Sequence, residues 1–472
     1  FVLLRHTGQV FSAAPAMVAM LAPAGQASLD LELNGRILLF TGGLAVLTVV
    51  IFGVMPAWRA TRVDAQLASK APARVVGRRP ARFAGGKLLV AGQVALSLVL
   101  VVTAGLFIGT FRTLTGLDVG FKADGVLVAE VDLRNAGLTA ETAGSAERAI
   151  LDRVREVPGV IAAASARLAP VSGTSWNDEV IVEGATDQPS DRLAWFTDVS
   201  EGYFATMETR LLAGRDFSTA DRAGSEQVAI VNDAWARKFL GAGDPLGRRF
   251  RTVIADSTGE AITIVGVVEN AKYRSLRDGD EPTVYLAREQ TADRMTPTLL
   301  IRTKGDPASL TKTIAAAATD VRSGATLDVS TLPRRLDASL RRERLMAVLS
   351  GLFGGLALGL AMLGLYGVMA YAVTRRRGEL GVRIALGADR KAVIRMVLAE
   401  TMKLGLAGLV VGTVAALALS RLIASFLYSV RPTEPSVYLS GAAILAAVAL
   451  AAGAIPAWRA ARVDPLEALR EE

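Results

Sequence analysis

Residues 345–373 read LMAVLSGLFGGLALGLAMLGLYGVMAYAV, without one charged side chain. A helix needs about 20 mostly apolar residues to cross the hydrocarbon core of a bilayer, so this run is long enough to span. Three more runs, 37–58, 88–111 and 435–458, are equally free of charge, and a shorter fifth, 404–420, extends past Arg421 to Tyr428. Basic residues stand at the ends of these runs, a pattern that buried helices of a soluble core seldom share. The fold class expected is an α-helical integral membrane protein with five spans: 37–58, 88–111, 345–373, 404–428 and 435–458.

Composition agrees. Of 472 residues, 51% are hydrophobic, and 53 Lys and Arg against 45 Asp and Glu leave a net charge of +8. A basic balance can serve nucleic acid or anionic lipid; because the charges flank apolar runs, they point to membrane lipids and not to nucleic acid. The chain has no cysteine and a single histidine, His6. That excludes disulfides, thiol catalysis and Cys or multi-His metal sites, and leaves no base for a Ser-His-Asp arrangement.

Sidedness follows from Lys and Arg in the short connections. The linker 59–87 holds Arg59, Arg62, Lys70, Arg74, Arg78, Arg79, Arg82 and Lys87 against one acid, Asp64. The loop 374–403 also holds eight basic residues, against Glu379, Asp389 and Glu400. Both are expected in the cytoplasm, together with the tail 459–472, while the connection between the last two spans is expected outside. Residues 112–344 then fall outside the membrane. There, polar–apolar alternation and Gly/Pro turns predict strands at 126–133, 160–167, 228–231, 262–268, 283–286 and 299–302 and helices at 139–157, 233–240 and 307–321, a large extracytoplasmic α+β domain.

One repeat organises the chain. Pro56-Ala57-Trp58-Arg59-Ala60-Thr61-Arg62-Val63-Asp64 recurs as Pro456-Ala457-Trp458-Arg459-Ala460-Ala461-Arg462-Val463-Asp464, differing only at the sixth position, and each copy closes an apolar run. Trp58, Arg59 and Arg62, like Trp458, Arg459 and Arg462, suit the headgroup level as membrane-interface anchors. The expectation is a tandem duplication whose first copy is mostly absent, with residues 1–36 its largely extracytoplasmic remnant in an N-terminally truncated chain.

Enzymatic motifs are missing. Around Gly86-Lys87, Ala81 and Leu88 stand where a phosphate loop requires a glycine and a hydroxyl. Gly173-Thr174-Ser175-Trp176-Asn177 lacks the closing glycine of a nucleophile elbow. Asp278-Gly279-Asp280-Glu281 reads as a solvated turn. The chain is expected to catalyse nothing and to bind no cofactor or metal.

The informative stretch is Arg375-Arg376-Arg377-Gly378-Glu379-Leu380-Gly381-Val382-Arg383-Ile384-Ala385-Leu386-Gly387-Ala388-Asp389-Arg390-Lys391. Leu380, Ile384 and Ala388 share one helical face, and Glu379 and Arg383 are spaced to pair at i, i+4. Periodicity alone leaves two readings open: a helix lying on lipid, or one docked into a partner.

The stretch resembles the loop of MacB/FtsX-type ABC permeases, which runs close to E-[IL]-G-[IV]-R-x-A-L-G-A; Glu379, Leu380, Gly381, Arg383, Ala385, Leu386, Gly387 and Ala388 occupy its positions. The outer domain is similar to the periplasmic core domain of that family at Gly214-Arg215-Asp216-Phe217, Asp244-Pro245-Leu246-Gly247 and Val265-Gly266-Val267-Val268. The tandem copy resembles the acidobacterial duplicated orphan permeases. The resemblance implies that residues 379–388 form a coupling helix for a separate ABC ATPase, which would carry ATP and Mg²⁺. It also implies a multi-pass plasma (inner) membrane protein moving its outer domain to export a peptide, lipoprotein or antibiotic. A non-transporting, FtsX-like regulator of a cell-envelope enzyme is the alternative, and a second permease copy or an outer-envelope protein are further partners the resemblance allows.

Overall fold

The computed structural model describes residues 35–50, 81–134, 137–184, 189–254, 257–291, 296–322, 324–386 and 389–462. The chain divides into two units, 1–80 and 81–472. In the first, helix α1 (Gly35–Val49) covers the front of the run 37–58; the remainder of that run and the anchors Trp58, Arg59 and Arg62 lie outside the described residues.

The second unit opens with α2 (Ala81–Thr115). The α+β domain follows as β1 (Val126–Asp132), α3 (Ala140–Arg155), β2 (Val160–Ala166), β3 (Trp176–Val182), β4 (Leu193–Val199), α4 (Tyr203–Met207), β5 (Leu211–Gly214), β6 (Val228–Asn232) and α5 (Asp233–Leu240). It continues with β7 (Arg249–Ile254), β8 (Ser257–Thr258), β9 (Ile262–Val268), β10 (Thr283–Ala287), β11 (Thr298–Thr303), α6 (Thr311–Val321), β12 (Thr326–Thr331) and α7 (Leu332–Ser339). Then come α8 (Arg341–Arg375), α9 (Arg377–Ala385), α10 (Arg390–Ser420) and α11 (Pro435–Ala460).

The twelve strands form one sheet in the order β10-β6-β9-β7-β3-β4-β2-β11-β1-β12, with β5 on β9 and β8 on β7. Because β10 also pairs with β4, in parallel register from Thr283↔Trp195 to Ala287↔Val199, strands β10, β6, β9, β7, β3 and β4 close on themselves. This ring encloses Phe196, Ile264 and Phe250, capped by Trp235 and Phe239 of α5. Asn232 starts α5 where it does because its side chain accepts from the Trp235 amide, a standard N-cap. Strands β2, β11, β1 and β12 form a second lobe under α3 and α6, whose Ile150, Val154, Ile314 and Ala318 cover Leu127, Leu299 and Ile301.

A buried ion cluster ties the lobes. Arg288, after β10, donates to Glu147 of α3 and to Asp198 of β4, with side chains 1%, 2% and 0% exposed. Burial works to lower the Arg288 pKa, but the two carboxylates outweigh it and the group is raised.

Among the described residues, four helices are long and apolar enough to cross a membrane: Gly86–Thr115 within α2, then α8, α10 and α11. The most covered is α2, onto which α8, α10 and α11 all pack. Small residues permit the approach: a Cβ at Gly408 would lie 2.6 Å from Val94 Cβ, and one at Gly412 would lie 2.8 Å from the Ala95 carbonyl oxygen. Close backbone contact of this kind replaces the hydrophobic effect as the packing force in lipid.

Several boundaries differ from the sequence reading: α2 starts at Ala81, inside the expected linker 59–87, and runs on to Thr115, and α8 starts at Arg341. The segment 374–403 is not a loop throughout, and the span does not run 404–428. Helix α10 begins at Arg390, with Asp389 as its N-cap accepting from the Lys391 amide at 3.2 Å. It ends at Ser420, followed by a 3₁₀ turn at Ala424–Phe426. Scattered charges from Arg390 to Lys403 do not break a helix whose Val393, Val397 and Thr401 recur every four residues and are all buried.

The two parts share a core. Leu114 of α2 and Leu340 at the head of α8 are buried with Val126, Phe204 and Leu300 of the domain, and Phe111 and Tyr428 pack against them. Arg277 clasps the junction: it pairs with Glu343 of α8 at 2.9 Å and donates to the carbonyls of Phe426 and Leu427 at 2.9 and 3.3 Å.

Candidate partner-docking site at the far end of the bundle

Helix α8 has 35 residues, about 50 Å at 1.5 Å per residue. It therefore carries the chain from the α+β domain to the opposite end of the bundle, where a turn at Arg376 leads into α9. That helix lies on a floor made by Met369, Ala372 and Val373 of α8, Val393 and Val397 of α10, and Ala457 and Ala460 of α11. Leu380, 4% exposed, is its plug into that floor, and buried Gly381 lets the backbone approach.

Beneath α9, Glu400 of α10 accepts from Lys87 of α2 at 2.7 Å and from Arg376 at 3.1 Å. All four long helices thus meet under one short helix.

The sequence placed the apolar face Leu380/Ile384/Ala388 against lipid or a partner. In the structure Leu380 is turned into the protein's own bundle and Ile384 packs beside it. The uncovered face carries Val382, Arg383 and Leu386, the last 82% exposed, with Ala385 also exposed. Glu379 and Arg383 do pair, at 2.7 Å, and Arg383 also reaches Met396 Sδ at 3.5 Å. Gly387 and Ala388 lie outside the described residues.

At the same end, the Arg462 guanidinium sits 3.6 Å over the exposed ring of Trp458, and Arg459 donates to the Tyr366 hydroxyl at 3.1 Å. Sequence reasoning missed Lys87 and Glu400 as a pair; the one available signal was a lone carboxylate among the apolar and basic residues of 390–420.

In the α+β domain, Asp278 and Glu281 pair with Arg274 and Asp280 with Lys272, so each carboxylate of this acidic turn is held by a neighbouring cation. No group of three or more potential metal ligands occurs among the described residues. An open cavity of about 820 Å³ is bordered by Arg167, Arg274, Arg335, Glu130, Thr298 and Ser339.

Long apolar helices, an α+β domain set between the first and second of them, and a short helix seated across the far ends define an integral membrane protein built to link two distant surfaces. Residues 88–327 match the MacB-like periplasmic core domain and residues 351–465 the FtsX-like permease C-terminal region; the chain belongs to the MacB/FtsX family of ABC transporter permeases. It is 27% identical over 323 residues to the macrolide export ATP-binding/permease protein MacB of Chromobacterium violaceum, covering 65% of this chain and 48% of that one. It is 27% identical over 403 residues to MacB 1/2 of Paracoccus denitrificans, covering 78% and 51%, and 24% identical over 284 residues to the ABC transporter permease YknZ of Bacillus subtilis, covering 58% and 69%. The chain thus spans about half the length of the MacB relatives. Among solved structures, the periplasmic region of MacB from Actinobacillus actinomycetemcomitans aligns at 13% identity and a TM-score of 0.31, over 46% of this chain and 92% of that one.

Proposed function

We propose that the chain is the membrane subunit of an ABC-type exporter, and that a separate ATPase docks on the outward face of α9. The observation that carries this reading is the division of α9 into two faces. Leu380 fastens it to a floor shared by three helices, while Val382, Arg383 and Leu386 face outward uncovered. A push on that face reaches α2 through Arg376, Glu400 and Lys87. The ATPase would hold ATP and Mg²⁺, and this chain would supply no catalytic group. The basic residues around α9 support a cytoplasmic position for it, with the α+β domain outside the inner membrane, where the open cavity would offer a surface for the exported molecule, of the peptide, lipoprotein or antibiotic class.

The test is co-purification of the tagged permease with an ABC ATPase from the cells that make it. Leu386→Asp should abolish retention without lowering the melting temperature, since the side chain is exposed. Leu380→Ala should instead destabilise the chain by about 2–5 kcal/mol, because it empties a packed site. Full ATPase retention by Leu386→Asp would refute docking at this face.

A further inference from the structure

Four helix ends converge where the bundle meets the α+β domain, and they carry exposed Arg112, Arg341, Arg342, Arg344, Arg421 and Arg431. Arg342 lies over the Phe426 ring at 5.2 Å. Among the described residues, none of the other five has a carboxylate within ion-pair distance. Glu343 is buried and held by Arg277; Asp337 and Glu434, the other acids beside them in the sequence, form no ion pair with them. Two of the five are accounted for by their own helices: Arg112 ends α2 and Arg421 follows α10, where the negative end of the helix dipole favours a cation. Arg341 and Arg344 have the opposite placement. They open α8, where the positive end of the dipole disfavours them and where an anion from outside the chain would offset that cost. An apolar run begins at Leu345, so these guanidinium groups stand at headgroup depth.

We infer that Arg341 and Arg344 bind the phosphate of an anionic phospholipid in the leaflet next to the α+β domain. The planar guanidinium matches phosphate oxygens in pairs. The inference rests on the four helices crossing the membrane and is independent of the sidedness of the chain and of ATPase docking. A lipid held at the head of α8 steadies the junction at which Arg277 and Glu343 join domain to bundle.

The test is native mass spectrometry of the full chain released from phosphatidylcholine nanodiscs doped with phosphatidylglycerol. At about 1 kcal/mol per basic residue at an anionic surface, the double variant Arg341→Gln/Arg344→Gln should bind phosphatidylglycerol roughly thirtyfold more weakly than the wild type. The double variant Arg222→Gln/Lys312→Gln, at exposed positions of the α+β domain remote in sequence from every apolar run, should keep the wild-type affinity. Soluble glycerol phosphate in millimolar excess should not displace the lipid. Unchanged affinity in the first variant, an equal loss in the second, or displacement by glycerol phosphate would each overturn the lipid site, the last in favour of a soluble anion. Should the first variant fail to fold, the wild type decides the matter, because retention that ignores rising salt is incompatible with binding through two exposed arginines.

Discussion

Single residues separate what holds the fold from what is left uncovered for the proposed partner. Leu380 and Leu386 are six positions apart on the same short helix, yet one is buried and the other is almost fully exposed. Arg288 is the counterpart in the α+β domain. Its guanidinium is buried between Glu147 and Asp198, and removing one member of a buried ion cluster strands the remaining charges. Arg288→Met should therefore cost about 3–5 kcal/mol, read as an earlier urea midpoint, with the lobes separating to protease before the bundle is lost. A change under about 1 kcal/mol would mean that the cluster neither holds the lobes together nor was costly to build.

At the scale of elements, legibility followed burial pattern. The apolar runs of α2, α8 and α11 stand out because lipid tolerates no charge along a span. Strands β1, β2, β6, β9, β10 and β11 alternate or are buried on both faces, and the sequence shows them. Strands β3 and β12 do not: Asn177-Asp178-Glu179 are polar and partly exposed although β3 is paired on both sides within the ring, and the polar TLDVST of β12 lies at the open edge of its lobe. Ring closure was invisible because it depends on the parallel pairing of β10 with β4, made across a long stretch of chain. The start of α10 was hidden by charges spread round the helix, which leave only the narrow buried stripe Val393, Val397 and Thr401 free of them. On α9 the motif located the helix, but periodicity could not say which face would be covered, since the floor is assembled from α8, α10 and the more distant α11. The seam between α10 and α2 gives the element-scale prediction. Gly412→Leu has no room against Ala95 and Leu98, so it should reduce stability in detergent by at least about 1–3 kcal/mol, whereas Leu417→Ala on the exposed side of α10 should leave the melting temperature unchanged.

For the whole molecule, the question is how movement at one end reaches the other. The bundle and the domain share a core around Leu114 and Leu340, and Arg277 joins α8 to the α10–α11 connection. Arg277→Met should leave ATPase binding intact but lower the permease-dependent stimulation of ATP hydrolysis severalfold; equal stimulation by variant and wild type would remove Arg277 from the transmission path. The central claim, that a motor docks on α9 while the α+β domain stands on the other side of the membrane, is tested most directly by photo-crosslinking in intact cells. A benzophenone amino acid at position 386 should yield a covalent adduct whose tryptic peptides come from an ABC ATPase, and the same group at exposed Ala223 of the domain should yield none. Adducts to the ATPase from position 223, or their absence at position 386 while the complex still co-purifies, would contradict the account.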